Sequence, residues 1–188
     1  MKIEVLHQLF LQYPYVCTDT RKIIEKSIFF ALKGDNFNGN EFAQNALNEG
    51  AAYAVVDEEE YAVSDKTILV TNALQTLQEL ATHHRIHHKA KIIGLTGSNG
   101  KTTTKELISI VLSKKYKTVA TKGNLNNHIG VPLTLLSIQE DTEIAVIEMG
   151  ANHLGEIAFL CSLAQPDYGY ITNFGKAHLV GFGCEEGV

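Results

Sequence analysis

The sequence predicts an α/β protein in two parts: a small mixed α/β domain over residues 1–89, then a phosphate-loop domain over residues 90–188 with a mainly parallel sheet flanked by helices. Three observations lead there. Short apolar runs alternate with segments of helical periodicity through both halves, the pattern of strands joined by crossover helices. The composition changes at His83-His84-Arg85-Ile86-His87-His88-Lys89, which places a boundary near Ala90. A strand, a glycine-rich turn and Gly-Lys-Thr follow one another from Ile92 to Thr102, the local context that a phosphate-binding loop requires.

In the first part, Ile3, Leu6, Leu9 and Phe10 recur at helical spacing until Tyr13-Pro14 stops the helix. Ser27 to Leu32 is an apolar run suited to a buried strand, closed by Lys33-Gly34-Asp35, and Asn36 to Asn40 reads as a turn-rich loop. Phe42, Ala46 and Leu47 form one face of a helix that Gly50 ends. Ala52 to Val56 and Thr67 to Val70 are two further strands. From Asn72, an N-cap, a helix runs through Leu74, Leu77, Leu80 and Ala81 toward His88. Its histidines have i,i+4 spacing, but no third metal ligand is evident in the sequence nearby, so they read as an exposed helix end entering a linker.

In the second part, Ile92 to Leu95 is a strand and Thr102 to Leu112 a helix, with Leu107, Ile108, Val111 and Leu112 on its apolar side. Thr118 to Ala120, Ile144 to Ile147 and Tyr168 to Ile171 are strands, and Ile157, Leu160, Cys161 and Ala164 mark another helix. That makes about four strands where a doubly wound nucleotide domain has about five or six. The tail from Gly181 to Val188 adds no closing element, so the sequence reads as a piece of a longer domain.

Bulk properties narrow the function classes. With 188 residues, 45% hydrophobic and 20% charged, two modest cores are affordable and the chain is an ordinary soluble one. A formal charge of −5 lacks the basic stripe of a general nucleic-acid binder. There is no apolar run of the roughly 18 residues that a membrane span needs, and Met1-Lys2-Ile3-Glu4 does not open a secretory signal. Cys17, Cys161 and Cys184 have no paired spacing and read as reduced thiols of a cytoplasmic protein.

The chemistry concentrates in Thr96-Gly97-Ser98-Asn99-Gly100-Lys101-Thr102-Thr103. Glycines there let backbone amides surround phosphate oxygens, and the start of the following helix adds its own N–H groups and positive dipole end. Lys101 is placed to reach the β- and γ-phosphates of ATP, and the Thr102 hydroxyl to bind Mg²⁺. The loop is a variant: the usual first glycine position is Leu95, flanked by Gly94 and Gly97. Glu148 closes an apolar strand at its carboxyl end, where ligands gather in such sheets; it is either a Mg²⁺ ligand or a solvated residue leaving the strand. His178 follows the next strand and faces the same choice between metal, phosphate and a structural role.

These motifs, together with Glu148-Met149-Gly150-Ala151-Asn152-His153 and Thr172-Asn173-Phe174-Gly175-Lys176-Ala177-His178, resemble the Mur ligases of bacterial cell-wall synthesis. Gly123 to Thr134 resembles the branch that adds D-alanyl-D-alanine, and Thr18-Asp19-Thr20-Arg21, Phe29 to Gly34 and Asn36 to Asn40 resemble its UDP-sugar domain. The resemblance implies a three-domain, monomeric, cytoplasmic enzyme of peptidoglycan precursor synthesis, with domain one and much of domain two present and the C-terminal domain absent. It implies that ATP phosphorylates the terminal carboxylate of UDP-N-acetylmuramoyl-tripeptide and that the amine of D-alanyl-D-alanine attacks the acyl phosphate. By the same resemblance Lys101 stabilises the transferring phosphate, Thr102 and Glu148 hold one Mg²⁺, and His178 helps hold a second. Asn126 and Asn127 then contact the muramoyl-peptide, and Thr18, Asp19, Thr20 and Arg21 lie near the uridine diphosphate. Read locally, Asn126-Asn127 is a plain loop and Asp19-Thr20-Arg21 a surface turn with an ion pair.

The family's carbamoylated lysine and its grip on adenine lie past Val188, so this chain is expected to be inactive alone. Two alternatives stay open: another ligase of the superfamily with a different amine, and a non-catalytic nucleotide- or UDP-sugar-binding module.

Overall fold

The computed structural model describes residues 1–175 and separates into two compact units, Met1–His83 and His84–Val188.

The first unit opens with α1 (Ile3–Gln12), whose Leu6 and Phe10, four residues apart and each 1% exposed, form its inner face. Pro14 disfavours helical backbone at Tyr13 and ends it. Then come β1 (Val16–Cys17), a 3-10 turn (Thr20–Lys22), β2 (Ile28–Phe30), the antiparallel pair β3 (Lys33–Gly34) and β4 (Phe37–Asn38), α2 (Ala43–Asn48), β5 (Tyr53–Val56), β6 (Thr67–Leu69) and α3 (Ala73–His87). The strands β1-β2-β5-β6 pair in that order, all parallel. Phe29, Ala31, Ala43, Ala46, Ala51, Ala54 and Val56 form the core, where alanines on α2 and β5 let helix and sheet approach closely. The Asn72 carboxamide accepts the Gln75 N–H at 2.8 Å and caps α3 as expected.

The second unit holds β7 (Lys91–Thr96), α4 (Lys101–Leu112), β8 (Thr118–Ala120), α5 (Gly130–Leu135), β9 (Ile144–Glu148), α6 (Glu156–Ala164) and β10 (Tyr168–Ile171). Its sheet runs β10-β7-β9-β8, all parallel. The chain leaves β7, passes over the place that β9 takes, and lays β8 beyond it. Leu95 therefore pairs with Glu148, and Thr96 with Ile171, so three strand ends meet around the glycine loop.

Several elements depart from the sequence reading. The two-residue strands β1, β3 and β4 are too short to show periodicity, so β4 lies in what reads as the loop Asn36–Asn40. Helix α5 was not expected either. Pro132 sits in its first turn, where the missing N–H is harmless, and Val131 and Leu135 are fully buried. On α4 the predicted apolar side is only half used: Leu107 and Val111 are 61% and 69% exposed, and the helix instead turns Lys105, Ile108 and Leu112 inward. The reason is spacing, since Lys101, Lys105, Ile108 and Leu112 share one stripe three or four residues apart.

The histidine run is an exposed helix end only in part: Ile86 and His87 face outward, but other members are enclosed. His84 is 2% exposed, with Nε2 donating to the Ile138 carbonyl at 2.8 Å, and a third imidazole, His7, lies edge-on to His83 with ring centroids 4.8 Å apart. Arg85 donates to the Ala164 and Gln165 carbonyls and to Asp167, all near 3 Å. Cys17 and Cys161 are free thiols that burial pushes up, and Cys184 lies outside the described residues. Among the described residues, no helix is long and apolar enough to cross a membrane.

Candidate phosphate and metal site

The loop between β7 and α4 takes its shape from two glycines and a clamp. Gly97 has φ +135°, and a Cβ there would lie 2.1 Å from the Thr172 hydroxyl, so no other residue fits without displacing β10's continuation. That continuation, Thr172 to Gly175, grips the loop. The Ser98 and Asn99 amides donate to the carbonyl and carboxamide oxygens of Asn173, each at 3.1 Å. Thr172 Oγ1 donates to the Asn99 carbonyl at 2.6 Å, and Ser98 Oγ bonds both backbone groups of Gly175.

The clamp decides which amides face a ligand. Ser98 and Asn99 are engaged, whereas the first turn of α4, Lys101 to Thr103, has N–H groups with no intrahelical acceptor. Gly100 precedes them in left-handed conformation (φ +77°) with open space where a side chain would stand. The helix dipole adds positive potential at the same point, so the geometry is that of an anion cradle. Lys101 curls over it, Nζ donating to the Gly97 carbonyl at 2.7 Å.

Glu148 stands beside the cradle at the end of β9 and is 2% exposed. Its Oε1 accepts from the Asn126 side-chain Nδ2 at 2.9 Å and from the Thr102 hydroxyl at 3.3 Å. Its Oε2 is buried and takes no hydrogen bond from any described residue. A buried carboxylate oxygen left without a donor is strongly unfavourable unless a cation or ordered solvent meets it. A carboxylate plus a hydroxyl next to a phosphate cradle is the donor set that suits Mg²⁺, which takes one or two protein ligands and otherwise keeps phosphate oxygens and water. The residues present therefore fit the ion.

The remaining predicted residues fall into two groups. Thr96 at the end of β7 donates through Oγ1 to the Met149 carbonyl at 2.9 Å, and Thr103 lies exposed in the first turn of α4. Asn126 is joined to the site through Glu148, a tie no local pattern announces. Asn127 instead folds on its own loop, accepting from the Ile129 and Gly130 amides at 3.1 and 2.9 Å to start α5. Downstream, the Glu156 carboxylate accepts the Asn152 and His153 amides, which hold it below its usual range and fix the loop after Glu148. His178 lies outside the described residues.

In the first unit, Asp19 and Arg21 close on each other. Both guanidinium contacts are 2.9 Å, the Arg21 amide donates to the same carboxylate at 3.1 Å, and the Arg21 hydrogen bonds bring the Asp19 carboxyl down to about 2. Thr18 precedes this turn and Thr20 begins it. The Asn36–Asn40 stretch is likewise internally engaged. Fully buried Asn40 donates to Asn38 and Asp57 and accepts the Asp57 amide, while Lys33 bridges Asp57 and Glu58 at 2.9 Å each.

Comparison with known proteins follows these same segments. Residues 95–188 match the Mur ligase middle domain, and residues 12–85 match the domain described as Mur ligase family, catalytic domain. The UDP-N-acetylmuramoyl-tripeptide–D-alanyl-D-alanine ligase of Bacillus subtilis (strain 168) is 45% identical over 179 residues, covering 92% of this chain and 38% of that protein. The ligase of the same name from Escherichia coli (strain K12) is 42% identical over 173 residues, again 92% of this chain and 38% of its relative. Among solved structures, MurF from Acinetobacter baumannii superposes with a TM-score of 0.85 at 37% identity, over 92% of this chain and 38% of that one. The MurF ligase of Thermotoga maritima, solved in complex with ADP, gives 0.83 at 36% identity, over 94% and 41%. This chain thus spans about two-fifths of the length of the relatives it matches.

Proposed function

Because this chain belongs to the Mur ligase family, we propose that the protein carrying it is an ATP-dependent carbon–nitrogen ligase of peptidoglycan precursor synthesis. It joins D-alanyl-D-alanine to UDP-N-acetylmuramoyl-tripeptide in the cytoplasm, acting as a monomer. The observation that carries the reading is the buried Oε2 of Glu148, without a donor among the described residues, beside the Thr102 hydroxyl and the α4 cradle. The relatives named as D-alanyl-D-alanine ligases and the ADP complex of one structural neighbour support the choice of nucleotide and substrates.

In this reading residues 90–188 bind ATP and residues 1–89 the UDP-sugar, with Thr18, Asp19, Thr20 and Arg21 near its diphosphate. A carboxylate of the tripeptide attacks the γ-phosphorus of ATP, the bond to ADP breaks, and an acyl phosphate forms. The dipeptide amine then attacks the acyl carbon, a proton is lost, and inorganic phosphate leaves. Both reactants are anionic, so the barrier is set by repulsion, and preorganised positive charge lowers it. Lys101 uncurls from the Gly97 carbonyl to follow the transferring phosphoryl group, and the first-turn amides of α4 hold its neighbours. Thr102 and Glu148 would hold Mg²⁺, which supplies charge neutralisation at the phosphate oxygens when bound. Asn126 keeps the Glu148 carboxylate oriented, and together with Asn127 borders the muramoyl-peptide. His178 is assigned to a second Mg²⁺ on the family resemblance.

Two measurements test this. Calorimetry on the chain should show Mg²⁺-dependent ATP binding that Lys101→Ala weakens by about 10²-fold or more. Phosphate release by the whole protein should require both UDP-N-acetylmuramoyl-tripeptide and D-alanyl-D-alanine. Equal turnover with a diamino acid instead would reassign the amine, and ATP bound but never consumed would reduce the protein to a binding module.

A further inference from the structure

Lys105 has no part in the chemistry above, yet it is the most enclosed side chain of α4, with 0% exposure. Lysine is almost never fully buried unless its charge is matched. Here Nζ donates to the Thr121 carbonyl at 2.6 Å and pairs with Glu106 Oε1 at 2.8 Å. Thr121, itself 2% exposed, directly follows β8 and is a junction. Its amide donates to the Val146 carbonyl at 3.0 Å, and its hydroxyl oxygen accepts the Glu148 amide at 2.9 Å. One turn earlier on α4, Lys101 and Thr102 form the cradle, and Thr102 reaches the Glu148 carboxylate. A closed circuit therefore runs from α4 through Lys105 to Thr121, on to the Glu148 backbone, and back through the carboxylate to Thr102.

We infer that Lys105 is a positioning residue: through Thr121 it fixes the end of β9, and with it Glu148, at the distance from Thr102 that a cation site needs. A methionine in the same hole would fill the volume but leave the Thr121 carbonyl without its charged donor. Groups that orient a metal ligand in this way characteristically matter for metal affinity or activity.

The inference rests on the reading of Glu148 as a Mg²⁺ holder, and the test separates the two. ATP is titrated calorimetrically into the chain with and without Mg²⁺, for wild type, Lys105→Met, Thr121→Val and Glu148→Gln, with circular dichroism to confirm folding. Lys105→Met and Thr121→Val should each cut the Mg²⁺-dependent gain in ATP affinity by about tenfold or more, with Mg²⁺-free affinity unchanged. The double variant should lose little beyond either single one, because both break one circuit. A folded Lys105→Met that keeps the full Mg²⁺ gain overturns the inference and leaves Lys105 a packing residue. Should Lys105→Met not fold, Thr121→Val decides, since it keeps the lysine and its carbonyl acceptor; an undiminished gain there is equally fatal. If Glu148→Gln itself keeps the gain, the metal reading has failed, a different result from either.

Discussion

The two units are built alike, each a four-stranded parallel sheet with helices, yet they treat the carboxylates at their strand ends in opposite ways. In the first, charged and amide side chains near strand ends are matched to each other. Asp57 shows the pattern: burial pushes its carboxyl up, but hydrogen bonds from Asn40, Lys33 and the Ala73 amide outweigh that and leave it lowered. In the second unit the corresponding strand end carries a carboxylate with one oxygen bonded twice and the other bonded by no described residue. A fully satisfied network stabilises its own fold, whereas a buried carboxylate oxygen left wanting beside a phosphate cradle is where a cation would complete the structure.

The sharpest way to break this contrast is Glu148→Gln. It removes the charge from the unmatched oxygen while keeping the shape, so Mg²⁺-dependent turnover of the whole protein should fall on the order of 10²–10³-fold. Thermal stability without Mg²⁺ should hold or rise, because an unmatched buried charge has gone. A variant that melts well below wild type would show that Glu148 is structural, like Asp57.

Asn40→Ala is the converse change in the first unit. It deletes a fully buried amide that makes three side-chain hydrogen bonds across the β4–β5 region and leaves the Asp57 amide without an acceptor. Unfolding free energy should drop by about 2–4 kcal/mol, measured by denaturant titration, while ATP affinity at low temperature stays put.

Gly97→Ala tests the loop. Its φ of +135° and the 2.1 Å approach to Thr172 Oγ1 mean that alanine must push Thr172 aside and loosen the clamp on Ser98 and Asn99. A loss of about 1–3 kcal/mol in stability, with weaker ATP binding by calorimetry, is expected.

Much of this was legible in advance, and the gaps have physical causes. Strand ends, the Asn72 cap and the loop-to-helix transition at Lys101 follow from periodicity and glycine placement, which are local. Glu148 was readable because it closes an apolar strand at its carboxyl end, where ligands gather in such sheets. The ties from Asn126 to Glu148, from Lys105 to Thr121 and from Asn173 to the loop span 16 to 74 residues and depend on strand order, which the sequence does not display. Lys105 did leave a trace: it lies four residues after Lys101, in the middle of the stripe that α4 turns inward. The eye follows leucines there, and the helix buried a lysine.

The smallest effect is the most discriminating for the first unit. Asp19 is held at about 2 by Arg21, below the ordinary carboxylate value near ~3.9. A lowered folded-state value means its stabilising contribution is complete above the ordinary value and disappears as pH falls from there through about 2. Asp19→Asn should therefore lower the melting temperature slightly at neutral pH and progressively less as the pH falls through about 2, the pair being at the surface and well screened. That small, pH-dependent change belongs to a closed turn that only supports itself. If the same variant instead loses UDP-sugar affinity by orders of magnitude while its melting curve hardly moves, Arg21 is being held ready for a diphosphate. The first unit would then carry an open polar site of its own, and the contrast with Glu148 would narrow to a difference of degree.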